Sequence, residues 1–323
     1  KLDYKFPNRL LVKQVRIDDQ QQHPMLSIDT LSAQADLIKL LFSDTLCIRK
    51  VSLIGGFADV HQHADSSLNI AFLQHLFGSS NKKSPTALPF SLQIRDIELR
   101  EIYVNYLDWS GYLPEAQMHL RDLSNGHLDA EIERLRFAAE HGGYDLDVKN
   151  IEAHLLITDS VVWFPKLRIQ LPHSDFRIDQ LAISKSALQS LGERHEASLS
   201  NSVSLRISSA SVTPADLAAL EPRLAGMRKP WGLTAEVSGR IDSLEARNLT
   251  LSYAQNRLLR GNVTALGLPV MDSLWLRAQV EDLQVNKATL QDILSGIAAQ
   301  PVCLPNMLSR LGTVHYRGAL EGR

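Results

Sequence analysis

The chain has 323 residues, with 34 basic and 36 acidic side chains, a formal net charge of −2 and a sequence pI near 6.6. That balance excludes the basic footprint of a nucleic-acid binder, and 44 % hydrophobic residues exclude a disordered chain. Seventeen glycines and 13 prolines are too few for a collagen-like or low-complexity tract, and two cysteines, Cys47 and Cys303, make no disulfide framework.

Alternation begins at Leu2 and Tyr4, and from there one pattern recurs along the chain. With Φ for an apolar residue it reads Φ-x-Φ-x-x-Φ-x-Φ, and its ten copies start at Leu10, Leu26, Leu46, Leu92, Ala130, Leu146, Phe176, Leu205, Leu244 and Ala278. None of the twenty residues in the central pairs (Lys13-Gln14, Asp29-Thr30, Arg49-Lys50 and so on) is apolar, so the motif is real. Period two marks a strand with one buried face. The first and second apolar pairs have opposite parity, however, and only an extra residue between them keeps all four on one side. A β-bulge supplies that residue, as would two short strands around a tight bend, and either device twists and curls a sheet. The predicted fold is therefore mainly β: a long, strongly curved antiparallel sheet, an open groove or taco, apolar on its concave side and charged on its convex side.

The copies begin 16 to 46 residues apart, too irregular for a leucine-rich repeat or β-helix. Polar turns at Ser124-Asn125-Gly126 and His141-Gly142-Gly143 fit a meander. Short helices are expected over 36–42, 68–77, 214–224, 288–298 and 305–311, the third with Thr213 as N-cap and Pro214 at the first helical position. A Ser-, Lys- and Pro-rich linker, 79–89, separates 1–78 from 90–323, with the same motif on both sides. The longest uncharged stretch, 66–81, mixes Ser, Asn, Gln and His with its apolar residues, so no membrane span is expected. The chain starts and stops in mid-pattern and reads as a piece of a longer protein.

Reactive constellations are sparse. Asp59-Val-His61-Gln-His63 puts two imidazoles on one face of a strand and looks like the first metal strand of the amidohydrolases. The regular helices of their (β/α)₈ barrel are missing, so an exposed strand end is the better reading, with no metal. There is no Gly-x-Ser-x-Gly elbow and no Gly-rich phosphate loop. Asn248-Leu-Thr and Asn262-Val-Thr match the glycosylation triplet, which arises often by chance, and Trp109, Trp163, Trp231 and Trp275 suit packing better than a sugar platform. The expectation is a non-enzymatic chain without a cofactor. Its candidate functional residues are the apolar positions of the motif: Leu92, Ile94, Ile97, Leu99, Leu146, Val148, Ile151, Phe176, Ile178, Leu181, Ile183, Leu244, Leu249 and Leu251. An open groove and a filled core have the same pattern.

The first eighty residues have a recognisable order: Phe6-Pro7-Asn8, the strand from Leu10 to Ile17, the Asp18-Asp19 turn, Met25 to Leu37, the short Ile38-Lys-Leu-Leu-Phe42, Leu46 to Gly56, and Asp65-Ser-Ser-Leu-Asn69 opening a helix. This resembles the N-terminal module of the AsmA/TamB superfamily, most of all its translocation and assembly module (TamB) members. The resemblance assigns 1–78 to that β module and 90–323 to a continuing β-rich groove segment. It implies a periplasmic location in a protein anchored to the inner membrane, phospholipid acyl chains as cargo, support of outer-membrane protein assembly, and an outer-membrane partner reached through a domain absent from this sequence. From the residues alone, a structural or adhesive β-rich surface protein that binds protein or glycan is the alternative.

Overall fold

A computed structural model describes residues 2–5, 8–19, 22, 24–36, 45–61, 69, 91–124, 127–187, 202–268 and 274–322. The chain is mainly β with a few short helices, as expected, and it divides into two compact units, 1–145 and 146–323. The expected boundary at residue 78 and the linker 79–89 lie outside the described residues, as do the helices expected over 36–42 and 68–77, except for Asp36 and Asn69.

The first unit holds β1 (Leu2–Lys5), β2 (Arg9–Asp18), β3 (Pro24–Asp36), β4 (Thr45–Val60), β5 (Ser91–Tyr106), β6 (Trp109–Ser124) and β7 (His127–His141), in chain order across a sheet. Pairing is antiparallel except between β4 and β5, which are parallel, and this corrects the expectation of an antiparallel sheet throughout. A parallel pair needs a crossover of a dozen or more residues, and residues 61–90 supply the length. The motif tolerates both directions because it is a palindrome. Leu46, Ile48, Val51 and Leu53 stand opposite Leu92, Ile94, Ile97 and Leu99, copy on copy. In the antiparallel pair β2/β3, Leu10, Val12, Val15 and Ile17 stand opposite Ala33, Leu31, Ile28 and Leu26.

The second unit holds β8 (Tyr144–Ile157, entering two residues before the boundary), β9 (Val161–Gln170), β10 (Asp175–Ser184), β11 (Ser202–Val212), β12 (Trp231–Arg240), β13 (Ser243–Tyr253), β14 (Asn256–Leu266), β15 (Trp275–Asn286) and β16 (Thr313–Gly322). Their order again follows the chain, and from β8/β9 to β15/β16 every pair is antiparallel. Helix α1 (Lys287–Ala298) agrees with the expected 288–298, and Asn286 caps it by accepting from the Thr289 amide. The helix expected over 214–224 is instead two 3-10 turns, Pro214–Leu217 and Pro222–Gly226, and a third covers Asn306–Leu311. The hydroxyl of Thr213 caps nothing. It donates to the His173 carbonyl at 3.2 Å, while Asp216 accepts from the His173 amide and the Ser174 hydroxyl. The turn is held by the β9–β10 connection rather than by a cap.

The extra residue inferred from the motif takes two forms. In the first unit Gln14, in the centre of the Leu10 copy, has positive φ (55°). In β4 Arg49, in the centre of the Leu46 copy, is the extra residue at the register shift between Gln34 and Ala35. Gly55 and Glu101 also have positive φ (67° and 56°), two residues beyond the copies in β4 and β5. Gly55 falls at the same register position as Glu101 across the parallel pair, and at that of Asp29 across β3/β4. Neighbouring strands therefore flip their faces at one line without losing register. From β11 to β16 bulged strands alternate with straight ones. β11, β13 and β15 carry the extra residue, whereas Leu233-Thr-Ala-Glu-Val237 in β12 and Leu259-Arg-Gly-Asn-Val263 in β14 alternate without interruption. Each such pair sets two residues against one, and the register shifts between Ile207 and Ala210, Ala246 and Leu249, and Val280 and Leu283.

Candidate functional site

An apolar face is built from these registers. In the first unit one row runs Leu10, Ala33, Val51, Ile97, Met118, Ile132 from β2 to β7, and the next runs Val12, Leu31, Leu53, Leu99, Ala116, Leu135. In the second unit a row crosses all nine strands: Ile151, Ile169, Phe176, Ala210, Leu233, Leu251, Leu259, Leu283, Tyr316. A second runs Phe164, Leu181, Leu205, Val237, Ala246, Val263, Ala278, Leu320. Between them lie Ala153, Leu167, Ile178, Ile207 and Ala235, and then Leu249, Gly261, Val280 and Gly318.

Burial differs between these rows in a way that reveals shape within the second unit. Six residues of the middle row, Ala153, Leu167, Ile178, Ala235, Leu249 and Val280, are 3–9 % exposed. The flanking rows are half-buried for most of their length, and Leu276 and Leu320 at the strand ends are 42 % and 47 % exposed. A flat sheet face exposes all rows alike. A face coiled along its middle buries the middle row under its neighbours, and the bulges sit beside that row. It is the floor of a trough, and the flanking rows are its walls.

No second layer covers the trough among the described residues. Among the described residues the largest fully buried side chain is Cys47, and elements pack almost only against their sheet neighbours. A second layer over this face would bury leucines and isoleucines completely. Of the fourteen expected residues, Val148, Ile178 and Leu249 are buried. Ile94, Ile97, Leu99, Leu146, Ile151, Phe176, Leu181, Ile183, Leu244 and Leu251 are half-buried, and the side chain of Leu92 lies outside the described residues. The straight strands β12, β14 and β16 carry no copy of the motif, yet Leu233, Val237, Leu259 and Val263 on β12 and β14 complete the rows. Plain period-two alternation was the signal for them.

The opposite face is charged. In the first unit Glu98 is buried there, accepting from the Ser52 hydroxyl at 3.2 Å and pairing with Lys50 at 2.8 Å and with Arg100. The Lys50 hydrogen bond holds its carboxyl below the usual glutamate range against the opposing effect of burial, with Lys50, Arg100 and Ser52 adding to it. His61 Nδ1 lies 2.8 Å from Asp59 Oδ2 and 3.2 Å from the Asn69 amide nitrogen, while His63 is outside the described residues. No group of three or more His, Cys, Asp and Glu among the described residues is placed to hold a metal.

One polar cluster adjoins the apolar face of the second unit. Trp231 and Tyr253 pair across β12/β13, two residues beyond Leu233 and Leu251 in an unbroken register, and so extend the apolar side toward the strand ends. Their rings meet edge to face, with centroids 5.1 Å apart. The Tyr253 hydroxyl donates to Asp292 of α1, which also pairs with Lys229 at 2.5 Å. Burial first, and then Asp292, pushes the phenol well above its ordinary pKa; Lys229 and then Tyr253 hold the Asp292 carboxyl below the carboxylate range. This clasp fastens α1 to the end of the sheet. Among the described residues no helix is long and apolar enough to cross a membrane. The chain matches no family model, no curated protein and no solved structure.

Proposed function

We propose that this chain is a non-enzymatic, periplasmic segment of a TamB-like envelope protein anchored in the inner membrane, and that its apolar face shelters phospholipid acyl chains in support of outer-membrane assembly. The observation that carries the reading is the set of apolar rows, continuous from strand to strand, partly exposed along the flanking rows and without a second layer among the described residues. Hydrocarbon laid on such a face leaves water at about 0.8 kcal/mol per buried CH₂ and needs no fixed polar contact, which suits a face built from Leu, Ile, Val and Ala. The outer-membrane partner of the reading would be met by a region outside this sequence. The resemblance of the first eighty residues supplies the compartment, and the rows supply the cargo class.

Photo-crosslinking in intact envelopes tests it. A benzophenone side chain at Ile94 or Ile178 is expected to yield phospholipid adducts detectable by mass spectrometry, and one at Arg177, exposed on the charged side, is expected to yield none. Leu181→Glu places a carboxylate in a wall of the trough and is expected to lower the Ile178 adduct severalfold. If neither apolar position gives a lipid adduct and no phospholipid co-purifies in mild conditions, the reading is wrong. Adducts to protein or glycan in their place would support a surface-binding β protein.

A further inference from the structure

Two cavities lie at the end of the second unit's apolar face, where Trp231 and Tyr253 extend it. One, of about 880 Å³, is polar: Tyr253, Asn256, Lys287, Gln291 and Ser309 are among its walls. The other, of about 670 Å³, is amphipathic, with Met227, Trp231 and Ile293 facing Arg228 and Gln300. Both fall within the roughly 300–1,000 Å³ of small-ligand sites. Tyr253, Lys229, Asp292 and Ser295 line both, so the clasp on α1 is the partition between them.

The charges around this partition do not cancel. Among the described residues Asp292 is the one carboxylate lining either cavity, and Lys229 already neutralises it. Lys287 remains in the polar cavity, its ammonium donating to the neutral Asn306 amide oxygen at 2.9 Å. Arg228 remains in the other. Each cavity thus carries one surplus cation next to an apolar surface. Among the described residues the opposite ends of these strands pair their cations: Arg240 is matched there by Asp242, and Arg277 by Glu321. A face that is apolar along its rows and cationic at one end is complementary to a molecule with hydrocarbon chains and an anionic head.

We propose that these two cavities receive the anionic head of an amphiphile, a net-negative phosphate-bearing lipid, whose chains lie along the rows of the second unit, and that Arg228 and Lys287 select that head. The proposal rests on the reading of the apolar face given above and adds an orientation and a class of cargo to it. Guanidinium and ammonium groups both bind phosphate, the first bidentately and the second as a point charge. Beside an apolar wall they are less screened than in open water.

The test compares dihexanoyl phosphatidylglycerol with dihexanoyl phosphatidylcholine, each below its micelle concentration, by titration calorimetry on the full chain. The anionic lipid is expected to bind about tenfold more tightly. The double variant Arg228→Glu/Lys287→Glu is expected to lose that preference while keeping its affinity for the choline lipid within about twofold. Lys149→Glu, on the charged face, is expected to change neither. Circular dichroism of each variant checks that the sheet is intact. Equal wild-type affinities, or a preference that survives the double variant, would overturn the head assignment and leave the apolar-face reading standing. Binding of neither lipid would overturn both. Glycerol 3-phosphate, a head without chains, is expected to bind at least a hundredfold more weakly than the anionic lipid; comparable binding would show a small-anion site and overturn the amphiphile.

Discussion

Glu98 shows why a buried charge is tolerated on the charged face of the first unit's sheet. Its carboxylate is buried among neighbours on the same face, and Ser52, Lys50 and Arg100 satisfy its oxygens. Its pKa is lowered in the folded chain, so the unfolded chain binds the proton more readily. The resulting stabilisation is complete above the unfolded glutamate pKa of about 4.3 and is lost as pH falls through the lower folded value. Glu98→Gln removes a charge-assisted acceptor and is expected to cost about 1.5–3 kcal/mol at pH 7. At pH 3 the gap between variant and wild type is expected to shrink. Urea midpoints of the two proteins at both pH values check this, and a gap that is constant with pH would show that the Lys50–Glu98 bond contributes nothing to the titration.

At the scale of the strand, the bulge is the working element, and β13 shows how one is held. Asn248, the second residue of the central pair in Leu244-Glu-Ala-Arg-Asn-Leu-Thr-Leu251, has φ 52°, and its amide donates to the Asn262 side-chain oxygen at 3.0 Å. Asn accepts the left-handed region more readily than most residues, and Asn262 on the straight neighbour β14 replaces the ladder bond that the bulge breaks. Both glycosylation-like triplets thus begin with residues that serve the bulge. Asn262→Ala is expected to destabilise the chain by about 1 kcal/mol and Asn248→Val by about 1–3 kcal/mol, measured as shifts in thermal midpoint. An unchanged midpoint in both variants would show that the bulge needs neither. Gly261 beside it is constrained differently: a Cβ there would lie 2.1 Å from the Gln279 carbonyl oxygen, so the floor row must narrow to a glycine at that point. This also marks what was legible in the amino acids. The palindromic apolar pairs and their polar centres declare the bulged strands, because parity is a local property. The parallel join of β4 to β5 was not legible, since a palindrome pairs equally well in either direction. Nor was the clasp: Lys229, Tyr253 and Asp292 are far apart in sequence and meet only when α1 folds back on the strand ends.

At the scale of the whole chain, the apolar rows pose a thermodynamic problem that a filled core does not. Leucine, isoleucine and valine are ordered at an entropic cost, yet most of those in the rows stay partly exposed in each unit, so the usual return from burial is incomplete. Such a face is expected to bind a hydrophobic dye, and a ligand that covers it is expected to stabilise the fold by mass action. A ligand that binds only the folded chain adds RT ln(1 + [L]/Kd), which is about 2.7 kcal/mol at a hundredfold excess over Kd. For units of this size that corresponds to a rise of roughly 5–10 °C in the thermal midpoint, taking about 2–4 °C per kcal/mol. Lipid-stripped protein is therefore expected to enhance anilinonaphthalene sulfonate fluorescence while its circular dichroism stays that of a β protein. Adding dihexanoyl phosphatidylglycerol is expected to displace the dye and raise the midpoint together, over one concentration range. The two readouts have to move as one, because both report coverage of the same rows. Stripped protein that ignores the dye and gains no stability from lipid would mean that the rows are covered from within, and the acyl-chain reading would then fall.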